Sequence, residues 1–83
     1  MGDPNDTIFS LDGVAANRNV SVVSIRGGWG VRQRFNQMGI HVADTIEIRR
    51  CGSMGGPILI RIHGIDIALG RGLARKILVK PVG

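Results

Sequence analysis

One cysteine, Cys51, is all that the 83 residues contain, which excludes an internal disulfide framework and any paired-cysteine zinc or redox site. The chain therefore reads as intracellular. Aromatic residues are nearly absent, with Phe9, Trp29 and Phe35 and no tyrosine, so the core has to be built from aliphatic side chains. No run approaches the roughly 20 apolar residues that a membrane-spanning helix needs, and the N-terminus lacks the basic start and apolar stretch of a signal peptide. Myristoylation is also excluded, because Asp6 stands where the pattern asks for serine or threonine. Acidic residues are sparse, six against eleven basic.

What is present is β-branched: eleven isoleucines and eight valines against five leucines favour strands over helices. The length allows a single core, and a chain of this size is expected to be stable by roughly 4 to 12 kcal/mol. The net charge of +5 is unevenly distributed. Residues 1–17 carry Asp3, Asp6 and Asp12 with no basic side chain, whereas from Arg18 onward eleven basic and three acidic residues leave +8. Such a surface suits a phosphate backbone, an acidic protein partner or simple solubility. Small barrels that bind single-stranded nucleic acid stack bases on aromatic side chains displayed along strands, and these strands carry almost none. Only a weak, salt-sensitive phosphate contact would remain on that reading.

Residues 1–6 are polar, contain Pro4 and read as a loose tail, so one domain is expected over 7–83. Val20 to Arg26 is the first long strand, and the adjacent Val22 and Val23 break its alternation as a bulge would, switching the inward face to Val23 and Ile25. A short helix follows, on whose apolar stripe Val31, Phe35 and Met38 recur at helical spacing. Gly39 provides its stop, with Ile40 placed for the accompanying hydrophobic contact. Ile46 and Ile48 point inward from a strand over 45–49, and Ile58, Ile60 and Ile62 from the next; residues 53–57 form the hairpin loop between them. After a tight return at Gly64, Ile65 to Leu69 alternates again. Gly70 to Ala74 suits one further helical turn, and Lys76 to Val79 is the last strand. The fold read from the residues is mainly β, a small barrel of five to six strands with one short inserted helix.

Few residues point to chemistry. Gly27-Gly28-Trp29-Gly30 lies between a strand and a helix, but one helix and hairpin spacing do not supply the parallel crossover architecture of a nucleotide site. Among His41, Asp44, Glu47, Cys51, His63 and Asp66, the pair His41 and Asp44 is closely spaced in a loop, short of the three or four ligands a metal site needs. No cofactor and no metal site are expected. The serines at 10, 21, 24 and 53 have no nucleophile context, so the chain is not read as an enzyme.

Met38-Gly39-Ile40, Asp44-Thr45-Ile46-Glu47-Ile48, Met54-Gly55-Gly56-Pro57-Ile58-Leu59-Ile60-Arg61, Gly64, Ile67-Ala68-Leu69 and Ala74 together closely resemble the FeoA family, over roughly Leu11 to Val82. That resemblance implies an SH3-like β-barrel that acts in the cytoplasm, recruited to the inner face of the cell membrane through FeoB, a ferrous iron transporter with a cytosolic GTPase part. It implies a non-catalytic protein-interaction module in iron uptake. A non-specific nucleic-acid-binding barrel and a metal-responsive interaction module of the kind appended to repressors are the alternatives. The expected contact surface is the Met54-Gly55-Gly56 loop, with the Trp29 turn and Arg71 as further candidates. For Met54 a position folded back onto the barrel mouth is an equal alternative; Trp29 is expected to cover the helix start and Arg71 to be a solvated charge. Two departures stand out. Val42-Ala43 replaces the family's usual Pro-Gly before the aspartate, and two glycines in Gly70-Arg71-Gly72-Leu73 predict a frayed turn, at up to about 1 kcal/mol each.

Overall fold

The computed structural model describes residues 7–82; the tail expected over residues 1–6 lies outside them. Six strands form one antiparallel sheet: β1 (Phe9–Ser10), β2 (Arg18–Ile25), β3 (Thr45–Arg50), β4 (Ile58–Ile62), β5 (Ile65–Leu69) and β6 (Ile77–Pro81), in the order β1-β6-β2-β3-β4-β5. Helix α1 (Trp29–Met38) links β2 to β3, and the one-turn helix α2 (Arg71–Ala74) links β5 to β6. This is the small SH3-like fold. The strands β2 to β5 form a meander, and β6 returns to lie between β2 and β1.

Period-two isoleucines bury one face of the sheet. Ile46, Ile48, Ile58 and Ile60 are fully buried and Ile62 nearly so, and they join Val20, Val22, Ile77 and Val79 in one cluster with Phe35 of α1. Burying a side chain of this size contributes roughly 1.5–3 kcal/mol, so this cluster is the main stabilising element of a protein with so few aromatics.

The bulge in β2 occurs where the paired valines predict it, but its phase differs. Val22 pairs with Val79 and Ser24 with Leu78, so Val23 is the extra residue. It sits half-buried on the outer side, Val22 stays inward, and the switch takes effect only at Ile25. The bulged residue takes up the change of phase itself.

Helix α1 ends as its sequence predicts. Gly39 adopts φ 79°, its N–H reaches the Asn36 carbonyl at 3.0 Å, and the Ile40 N–H reaches the Phe35 carbonyl at 2.9 Å. This is a Schellman cap, and Phe35 and Ile40 supply its buried hydrophobic contact. After the cap, Ala43 takes a left-handed conformation (φ 78°) of the kind that favours glycine, while its N–H donates to the Val22 carbonyl at 2.8 Å.

Two expectations about the later elements are corrected. In β5 the alternation is present, but Ile65 at its start is 62 % exposed, because β5 is the outer strand and the core ends beneath Ile67. The Gly70–Leu73 segment is not frayed. Ala74 and Arg75 donate to the Gly70 and Arg71 carbonyls at 2.9 and 3.0 Å, and burial of Ala74 anchors the turn despite its glycines.

Candidate interaction site

Between β3 and β4 the chain makes a loop whose two limbs approach too closely for side chains. A Cβ on Gly52 would collide with the Pro57 carbonyl oxygen and lie 2.6 Å from the Gly56 carbonyl, so only glycine lets the limbs meet. The 3-10 turn Ser53–Gly55 forms the tip. At that tip Met54 is left-handed (φ 55°, ψ 37°) and fully solvent-exposed, so the alternative in which it folds back onto the barrel mouth is set aside. A left-handed non-glycine residue costs about 1–2 kcal/mol, and here no burial offsets it.

Arg71 holds the loop in this shape. Its Nε donates to the Gly56 carbonyl at 3.1 Å and its Nη2 to the Gly52 carbonyl at 2.6 Å, bridging both limbs from the first residue of α2. Arg71 is thus a half-buried structural clamp, which corrects its reading as a solvated charge. Hydrogen bonds from a guanidinium to two carbonyls are charge-assisted, and the planar fork suits a pair of acceptors. Beside the loop, the Cys51 thiol lies 3.2 Å from the Val14 carbonyl oxygen. The sequence hides this arrangement, since Arg71 lies 15 and 19 residues from its acceptors and no local pattern marks the link.

Trp29 is not part of this cluster. It is 79 % exposed at the first position of α1 and covers nothing there, contrary to expectation. It lines a separate open groove of about 450 Å³ with Ile25, Arg32, Asn36, His41 and Val42.

At one end of that region, Asp44 lies between two exposed histidines, with its Oδ2 3.4 Å from His41 Nδ1 and its Oδ1 3.4 Å from His63 Nε2. Oδ2 also accepts the His41 backbone N–H at 2.7 Å. Partial burial works to raise the carboxyl, but the His41 N–H and His63 outweigh it and hold Asp44 below its ordinary value. Among the described residues, no group of three His, Cys, Asp or Glu side chains is placed to hold a metal ion. No helix among them is long and apolar enough to cross a membrane.

Residues 9–81 match the FeoA domain family. A curated relative, the putative Fe(2+) transport protein A of Methanocaldococcus jannaschii, is 41 % identical over 73 residues, covering 88 % of this chain and 87 % of its own. Among solved structures, an iron uptake regulatory protein (FeoA) superposes with a TM-score of 0.85 at 32 % identity, over 92 % of this chain and all of the other. A FeoA-like protein from Clostridium acetobutylicum gives 0.83 at 30 % identity, over 92 % and 88 % of the two chains.

Proposed function

This chain belongs to the FeoA domain family, and from that membership we propose that it is a non-catalytic accessory protein of ferrous iron uptake, which binds and modulates a FeoB-type membrane transporter through its cytosolic GTPase part. The observation that carries the proposal is the match to the family over residues 9–81. On this reading the protein acts in the cytoplasm and meets the membrane only through its partner.

The Met54–Gly56 loop is the proposed contact. A fully exposed methionine in a strained conformation stabilises nothing within its own fold, and the clamp from Arg71 fixes its position before any partner arrives. Ordering a loop in advance removes part of the entropy that binding would otherwise cost. Methionine also adapts to irregular apolar pockets because its thioether is polarizable and unbranched. Trp29, exposed on α1, is a second candidate contact.

An NMR titration of the isotope-labelled protein with the GTPase part of the cognate transporter, repeated with GDP and a GTP analogue, tests the proposal. Shifts centred on Met54, Gly55 and Gly56 are expected. Shifts confined to other surfaces would displace the loop, and none in either nucleotide state would remove the GTPase part as the partner.

A further inference from the structure

β5 is an outer strand. It pairs with β4 over five residue pairs, and among the described residues no strand pairs with its other edge. The register fixes which groups are left over. Ile62 and Ile65 flank the two-residue turn His63–Gly64, whose left-handed residues (φ 52° and 77°) make a tight hairpin closed by a hydrogen-bonded pair. Alternation then makes Ile60 with Ile67 and Ile58 with Leu69 hydrogen-bonded pairs as well. Asp66 and Ala68 therefore direct two N–H and two C=O groups away from β4, at exposed positions.

Natural edge strands are usually blunted by lysine, proline, a bulge or extreme shortness. The opposite edge, β1, follows that rule with two residues. β5 does not: it runs five residues in unbroken register, without lysine or proline. Its one charge, Asp66, is held by Arg61 in a two-pronged ion pair of 2.7 and 3.3 Å. On the core-facing side, burial fades from Leu69 through Ile67 to the exposed Ile65.

We infer that β5 is a self-association edge, pairing antiparallel with β5 of a second copy about a two-fold axis at Ile67. Centring the axis on Asp66 would oppose like charges. Centring it on Ala68 would require the Gly70 carbonyl, which already accepts the Ala74 N–H, and would run the second strand into α2. The Ile67 register puts each Asp66 opposite Ala68 of the second copy, satisfies the four outward groups of each strand, and lays Ile65 opposite Leu69 of the second copy. Charge favours a second copy over an acidic or nucleic-acid partner. The only charged residues of β5 and of β4 beside it, Asp66 and Arg61, are paired with each other, so two copies meet without like charges opposed across the edge, whereas an anionic partner would seek the basic remainder of the chain.

The inference stands apart from the proposed transporter contact and is tested on the protein alone. Sedimentation equilibrium over rising concentration should show the mass climbing from 8.9 kDa toward twice that value. Ile65→Lys, at an exposed position, should keep the native fold by NMR and weaken self-association at least about tenfold, since a charge there cannot be buried against the second copy. Ala68→Pro, which removes one outward N–H, should act in the same direction. A protein monomeric at every concentration would overturn the inference, and so would a dimer that survives in folded Ile65→Lys.

Discussion

Arg71 Nη2 lies 2.6 Å from the carbonyl oxygen of Gly52, nineteen residues earlier in the chain, and this bond ties the one-turn helix α2 to the loop that carries the fully exposed Met54. Arg71→Ala removes it together with the bond to Gly56. The expected loss is about 1–3 kcal/mol of unfolding free energy, the range for charge-assisted hydrogen bonds in a half-buried setting. Hydrogen exchange at Gly55 and Gly56 should accelerate more than in the core strands. Arg71→Lys should recover only part of the loss, because an ammonium cannot present the planar fork that meets both carbonyls.

Met54→Gly separates the two roles of the loop tip. Glycine adopts φ 55° without strain but adds freedom to the unfolded chain, so denaturant unfolding should show stability unchanged or raised by up to about 1 kcal/mol. The transporter-induced NMR shifts proposed for the loop should be lost in the same variant. A substantial loss of stability would mean that Met54 serves the fold.

Ala43→Gly restores the residue type that the left-handed position favours. The variant should be more stable by about 0.5–1 kcal/mol in denaturant titration, provided that the Ala43 N–H bond to Val22 is kept.

Asp44 gives the stability a definite dependence on acid. Its carboxyl is held below the ordinary value of 3.8, so the folded state binds that proton more weakly than the unfolded chain does. The stability this contributes is therefore fully present above the unfolded value and is lost as pH falls below it through the lower folded value. Asp44→Asn should reduce the slope of the stability curve in thermal melts at pH 2 to 5.

The sequence carried the parts of the fold that repeat at fixed spacing. Isoleucines at every second position mark the inward faces of β3 and β4, and Phe35 followed by Gly39 and Ile40 spells out the end of α1. What it hid depends on long-range placement. Ile65 continues an alternating pattern that the core no longer reaches, which is a property of the last strand in a sheet and of no local motif. Trp29 has the composition of a covering residue but nothing beneath it to cover. At the candidate site, the exposed turn was legible from Gly55-Gly56-Pro57, whereas the clamp that shapes it required a side chain from beyond two further strands.

Phe9 stands opposite Val79 where β1 meets β6, so the first and last strands of the fold run side by side. Chain entering at β1 and chain leaving from β6 attach to the same region of the surface, spanned by a ladder of two residue pairs. A unit with that layout can be spliced into a surface loop of another protein, or duplicated in tandem, without threading either connection across its core. The fold is in that sense portable: what it is joined to can change while its six strands stay as they are.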